Sequence, residues 1–547
     1  MAVEVSRPLA NYPPALWDYD AMASLSSNDS GLESYTKQVE ELKVQVKDLL
    51  MASSTIDPAE RVKLIDMLCR LGVSYHFESE IEDQMNQIFD LVKSKALDDN
   101  DYDLCTVALL FRAFRQHGYK ISSDFFEKFK DNDGNFMSSL LTDVKGMLSL
   151  YEAAHLSMHG EEFLDEAIAY ARTNLMSMAS QCSPHLQNHI ANVLEQSFHR
   201  GIPRIEARKY ISFYERDEAR NELLLKFAKI DFHRLQLLHR RELSEVARWY
   251  KGLNAKKNFF YARDRLVETY LWSVSVYFEP HYARARIFLT KIITLLTITD
   301  DTYDAYGTID ELRPFTDAMQ RWDISAIDQV PDNMKFLYKT ILDLYNGFED
   351  ELRNEGRSHC VSYVKEAVKR VIRCYQIEVE WLNKGHVPPF EENFENSLIS
   401  SCYNAIPTGA LLGMGEIAGT EALDWITGVP KINRASMMIS RLMDDIVSPE
   451  HEKQRGHVAT GIECYMKQYN VSEEEVIEIF EKNIAKSWKD VNELCIKPTE
   501  VPIPIQMPVL NLARIMDVLY KYQDAYSINP GRLKGFVEML FLEQVPM

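Results

Sequence analysis

No apolar run in this 547-residue chain approaches the roughly 18 residues that would suggest a membrane-spanning helix, so nothing is expected to cross a bilayer. Strand-type alternation and Asn-Gly hairpin turns are nearly absent, which argues against a sheet fold. Positive charge is in deficit: 61 Lys and Arg against 82 Asp and Glu leave a formal net charge of −21. That balance argues against nucleic acid or an anionic membrane as the main partner. An anionic ligand would have to be held by local basic groups and metal, not by the overall field. Eight cysteines (Cys69, Cys105, Cys182, Cys360, Cys374, Cys402, Cys464 and Cys495) include no CxxC pair. This is the pattern of reduced, mostly buried thiols in an intracellular protein. The first 25 residues show neither a basic-then-apolar signal region nor an Arg/Ser-rich transit segment. The C-terminal Gln544-Val545-Pro546-Met547 lacks a prenylation cysteine. A soluble, cytosolic and monomeric enzyme is the expectation.

What is present reads as helix almost throughout: apolar residues at helical spacing, punctuated by Asp, Ser, Gly and Pro. Ser472-Glu473-Glu474-Glu475 is a capping box opening one such helix, so its acids are structural. A hydrophobic content of 46% suits a large core, and the length allows more than one domain. Residues 1–30, with Pro8, Pro13 and Pro14, are expected to be extended. The charged stretch from Glu215 to Arg220 then separates two helix-rich halves, residues 31–218 and 219–547. No short internal repeat is found, which weakens a solenoid reading. Three tempting motifs are set aside. Asp131-Asn132-Asp133-Gly134 reads as a turn, since Phe129 occupies the first-ligand position of a calcium loop. His155 and His159 lack the adjacent glutamate of a zinc-protease helix. Asp98 to Asp103 is an acidic loop without an apolar stripe.

Two acidic clusters carry the chemistry. Leu289, Ile292, Ile293 and Leu296 form a core-facing helical stripe that runs on to Asp300 and then Asp304. Two carboxylates one turn apart repel, and burying them unpaired is costly; a cation between them removes both costs. Asp301, one residue along, points about 100° away. The second cluster repeats the pattern. Arg441, Asp444, Ser448 and Glu452 fall within roughly 80° of one another on a helix, opposite Met438, Ile439, Leu442, Met443 and Ile446. Carboxylate and hydroxyl oxygens suit Mg²⁺ and not zinc. Pro449 inside this run removes a backbone donor and presses on the carbonyl of Asp445, so a kink before Glu452 is expected.

With these residues in place, the chain resembles the plant terpene synthases, and among them the sesquiterpene synthases. Asp300-Asp301-Thr302-Tyr303-Asp304 matches the aspartate-rich motif, and Asp444, Ser448 and Glu452 match the second metal motif. Tyr261-Ala262-Arg263-Asp264-Arg265 matches the arginine motif, and Arg7-Pro8 followed by Trp17 is similar to the variant N-terminal motif. Four motifs in order along nearly the whole chain make a specific signal, where a lone DDxxD would be weak. The resemblance implies an all-α fold of two helical domains: a C-terminal class I catalytic α-domain and a non-catalytic N-terminal domain, with residues 1–30 capping the active site. It implies three Mg²⁺ ions, with Mn²⁺ as a substitute, held by Asp300, Asp301, Asp304, Asp444, Ser448 and Glu452. It implies a prenyl diphosphate substrate, farnesyl diphosphate ahead of geranyl diphosphate, gripped by Arg263 and Arg441 with Arg265 assisting. Trp272 matches the tryptophan of the pocket floor. Tyr520 and Tyr526 match C-terminal pocket positions, with Asp524 between them in a string one residue shorter than in typical relatives. Ser400 to Gly409, with Tyr403 and Asn404, is similar to the broken helix lining the pocket, and Pro407 and Gly409 give a local reason for the break. The segment Lys453 to His457 resembles a lid that orders over the diphosphate. Two other readings remain: a chain-elongating prenyl transferase, which would carry two DDxxD motifs, and a helical scaffold without catalysis, which leaves both acidic stripes unexplained.

Overall fold

A computed structural model describes residues 7, 9–28, 31–52, 57–94, 102–448, 458–528 and 530–546. Glu452, Lys453 and the rest of 449–457 lie outside the described residues, as do Pro8 and residues 98–101 of the acidic loop. Among the described residues there are helices and no strands; one isolated bridge joins Lys130 to Phe136. The all-α expectation is what the structure shows.

Two compact units form. One comprises Asp29–Leu238, Trp488–Ile503 and Met539–Met547; the other comprises Met1–Asn28, His239–Ser487 and Pro504–Glu538. In the first unit the punctuation of the sequence acts through helix caps. Asp57, Asp103, Asp143 and Ser183 accept backbone N–H groups at the starts of Pro58–Arg70, Leu104–Gln116, Val144–Ala154 and Pro184–Glu195. Each cap satisfies a donor that the helix cannot. Asp131 accepts the backbone N–H groups of Asp133 and Asn135, both at 3.0 Å, so that motif is a turn. His155 bonds the carbonyl of Tyr151 and His159 bonds Asp490, each at 2.8 Å. They share no ligand.

The second unit carries the site on seven helices: α1 (Leu266–Val276), α2 (Ala283–Ala305), α3 (Val361–Lys384), α4 (Phe390–Ser400), α5 (Ala405–Leu412), α6 (Lys431–Val447) and α7 (Gly461–Tyr469). The stripe on α2 is buried as its spacing predicts, and so are Ile439, Leu442 and Met443 on α6. Leu442 packs with Ile462, Val476 and Phe480 in a core that Ile446 also joins. Helix α6 ends at Val447, two residues before Pro449, in keeping with the restriction proline places on the residues before it. The expected extended segment is shorter than 1–30. Asp18 caps a short helix, Tyr19–Ser24, followed by a 3₁₀ turn at Leu25–Asn28.

The broken helix is real, but the break falls earlier than Pro407 and Gly409. Helix α4 ends at Ser400, Cys402 takes a left-handed φ of +66°, and α5 begins at Ala405. Pro407 is the third residue of α5, where its missing N–H costs nothing; a helix continued through the break would press its ring on the carbonyl of Tyr403. Gly409 lies inside α5 for a different reason: a Cβ there would sit 2.9 Å from Cδ1 of Ile292 on α2. Gly413, one turn on, would place a Cβ 2.4 Å from Cα of Ala285. This glycine pair lets α5 approach α2. Gly413→Ala meets backbone and not a yielding side chain, so it is expected to destabilise by about 2 kcal/mol, read as a lower urea midpoint. An unchanged midpoint would contradict the close approach.

Candidate active site

The acidic ends of α2 and α6 both open onto one cavity of about 1410 Å³, mouth included. On α2, Asp300 and Asp304 line it a turn apart, with Ile293 and Leu296 lining it further back along the same helix. On α6, Arg441, Asp444 and Ser448 line it from the other side. The aromatic side chains Trp272, Tyr403, Tyr520 and Tyr526 complete the wall.

Arg263 organises the first wall. Its backbone N–H donates to Asp301 at 2.7 Å and its Nε at 3.2 Å, while Nη1 donates to Oγ of Ser527 at 2.8 Å. The remaining Nη2 pairs with Asp300. Asp301 therefore does not line the cavity beside Asp300 and Asp304, where it was expected as a third ligand. It is 0% exposed and turned to Arg263, the consequence of its 100° offset on the helix. Burial works against the Arg263 charge, but Asp301, then Tyr12 and Asp300, outweigh it and hold the guanidinium well above its ordinary value. Asp300 is different. Burial, and then the neighbouring Asp304 carboxylate, push it up to about 7, although its side chain is 26% exposed.

Arg441 does the same on the second wall. Its Nη2 donates to Asp444 at 2.7 Å and to Asp445 at 2.6 Å, and Ser448 Oγ donates to the other Asp444 oxygen at 3.0 Å. Gly461, the first residue of α7, sits so near that an added Cβ would lie 2.4 Å from Asp445 Oδ2. Asp524 accepts the backbone N–H groups of Tyr526 and Ser527, both at 2.8 Å. Burial and then the Asp444 charge hold its carboxyl above the usual range.

Two further expectations are corrected. Arg265, 2% exposed, does not reach the cavity. It donates to the carbonyls of Tyr526 at 2.9 Å and Pro13 at 3.2 Å, so it ties the N-terminal segment to the chain after Asp524. Asn404 is buried but lines a separate groove with Arg370, Arg373 and Thr408. Its position at the first residue before α5 turns it away from the side that Cys402 and Tyr403 face. Conversely, Tyr375, Glu378, Asp445 and Thr297 line the cavity without having been anticipated. For Tyr375 and Glu378 the signal was there: Val364, Val368 and Val371 form a buried stripe on α3 that continues onto both, as the α2 stripe continues onto Asp300.

The donors fit a hard divalent cation. All are carboxylate or hydroxyl oxygens, and the Asp300–Asp304 repulsion is what such an ion would neutralise. No three His, Cys, Asp or Glu side chains among the described residues converge on a single point. The carboxylates instead stand on two walls, an arrangement for ions shared between protein and ligand oxygens.

Comparison with known proteins identifies the family. A family model described as "Terpene synthase family, metal binding domain" matches residues 251–490, and one described as "Terpene synthase, N-terminal domain" matches residues 16–194. The chain is 47% identical to a hedycaryol synthase of Camellia brevistyla over 549 residues, covering 100% of this chain and 98% of that one. The same identity and coverage hold for a valerianol synthase of Camellia sinensis, again over 549 residues. Among solved structures, isoprene synthase from Populus x canescens in complex with three Mg²⁺ ions and dimethylallyl-S-thiolodiphosphate superposes with a TM-score of 0.86 at 31% identity, covering 97% of this chain and 99% of that chain.

Proposed function

This chain belongs to the terpene synthase family, and from that premise we propose that it is a Mg²⁺-dependent sesquiterpene synthase. In this reading it ionises farnesyl diphosphate and converts the carbocation to a sesquiterpene, with release of diphosphate. The observation that carries the reading is the meeting of Asp300 and Asp304 with Asp444 and Ser448, each wall with its own arginine, around one aromatic-lined cavity. Identity to hedycaryol and valerianol synthases supports the sesquiterpene assignment.

The costly event is breaking an allylic C–O bond, in which charge builds on the leaving oxygens. Asp300 and Asp304 on one wall, and Asp444 and Ser448 on the other, would hold Mg²⁺; Glu452 is proposed to join them, and Lys453 to meet the diphosphate. Bound there, the ions supply Lewis-acid charge to the diphosphate. Arg263 and Arg441 present planar forks that match phosphate oxygens. These guanidinium groups pair with Asp300 and Asp444. With those two carboxylates holding cations, the Nη groups of Arg263 and Arg441 now paired to them would be open to the diphosphate. Trp272, Tyr403, Tyr520 and Tyr526 present rings that attract a cation without attacking it, and they keep bulk water off it. All eight cysteines are free thiols, which supports a reducing, cytosolic setting for the reaction.

Incubation with farnesyl, geranyl and isopentenyl diphosphates plus Mg²⁺, followed by gas chromatography–mass spectrometry, tests the proposal. Sesquiterpene volatiles from farnesyl diphosphate are expected, and no longer prenyl chains when isopentenyl diphosphate is added. Turnover of geranyl diphosphate alone would overturn the substrate assignment.

A further inference from the structure

Helix α2 carries five threonines, and four of them (Thr290, Thr294, Thr299 and Thr302) donate to the carbonyl four residues back, each at 2.7 Å. Thr297 does not. Its Oγ1 lies 3.0 Å from the Tyr526 hydroxyl, which in turn lies 3.1 Å from Oγ1 of Thr269. Thr269 Oγ1 also reaches the carbonyl of Arg265 at 2.9 Å; when its proton is spent there, Tyr526 donates to Thr269 and accepts from Thr297, and with the chain reversed Thr297 accepts from Tyr526. In either direction Thr297 Oγ1 keeps acceptor capacity, and Thr297 lines the cavity.

Its position matters as much as its polarity. Ile293, Thr297, Asp300 and Asp304 follow one another at helical spacing along the wall of α2. Thr297 stands three residues, about 4.5 Å of rise, from Asp300 on the same wall. A prenyl chain offers only C–H groups. The one small donor that can satisfy an acceptor in such a cavity is water.

We propose that Thr297 is a positioning residue: its Oγ1 accepts a hydrogen bond from a cavity water and turns that water's lone pair toward the carbocation, so that the reaction yields a sesquiterpene alcohol. The inference rests on the function proposed above. Ionisation breaks the C–O bond and the electron pair leaves with diphosphate. The water oxygen then supplies the pair for a new C–O bond, and the proton of the resulting oxonium passes to the released diphosphate. The diphosphate, not Thr297, is the base.

The test incubates wild type, Thr297→Val and Thr297→Ser with farnesyl diphosphate and Mg²⁺ in heavy-oxygen water, and reports labelled alcohol per diphosphate released. Wild type should give labelled alcohol, Thr297→Val should lower the alcohol share by about fivefold or more in favour of hydrocarbon, as expected for one lost hydrogen bond, and Thr297→Ser should restore it. Products free of label, or an alcohol share untouched by Thr297→Val, would overturn the inference. Absence of any diphosphate release from wild type would instead overturn the proposed function on which it stands.

Discussion

Asp300→Ala is expected to lower turnover of farnesyl diphosphate by at least about a thousandfold, the scale of losing preorganised charge where a transition state needs it, while the fold persists. Asp300 lines the cavity beside Asp304 and pairs with Arg263, so in the proposed function its loss would remove a cation ligand at the wall that must balance the leaving group. The fold should tolerate the change for a separate reason. Asp300 sits at about 7 against an ordinary 3.8, raised by burial and then by Asp304. A carboxyl with a raised folded value contributes its stability only while protonated, in full below about 4 and lost as pH rises through about 7. At neutral pH and without metal, its removal relieves repulsion. Diphosphate release and a thermal melt on the same sample separate the two effects. Full activity in the variant would show the metal assignment to be wrong.

Arg263→Ala should cost both turnover and stability, and the two losses have different partners. Turnover falls with the loss of one of two guanidinium grips on the diphosphate, by about two to three orders of magnitude. Stability falls because Asp301, 0% exposed and already held above the usual carboxylate range by burial, loses the cation that offsets that burial. Breaking a buried pair from one side costs about 3–5 kcal/mol. The double variant Arg263→Ala/Asp301→Ala removes that stranded carboxyl and should regain most of the melting temperature without regaining turnover. A single variant that melts like wild type would contradict the role given to Asp301.

How far the site was legible depended on whether a residue's role was local. Stripe continuation placed Asp300 and Asp304 on α2, and Arg441, Asp444 and Ser448 on α6, because one helix fixes all the angles involved. It could say that Asp301 points elsewhere, but not toward what: Arg263 lies far off in sequence and reaches it only in the folded chain. Arg263 and Arg265 share a motif two residues apart, yet one reaches the cavity and the other ties down the carbonyls of Pro13 and Tyr526. Nothing local distinguishes them. Asn404 was misplaced because the break lies before Pro407, and Gly409, expected at the break, belongs to the close crossing with α2. Glu378 was readable by the same stripe logic. Thr297 was not, since its meaning depends on a hydrogen-bond chain running through Thr269 and Tyr526.

The most direct test of the two-walled site is anomalous scattering from crystals equilibrated with Mn²⁺ and inorganic diphosphate. The account predicts manganese peaks within coordinating distance of Asp300 and Asp304 on one side and of Asp444 and Ser448 on the other, with diphosphate between them against Arg263 and Arg441. Manganese bound away from both walls, or retained unchanged when Asp300 and Asp444 are both replaced by alanine, would contradict it.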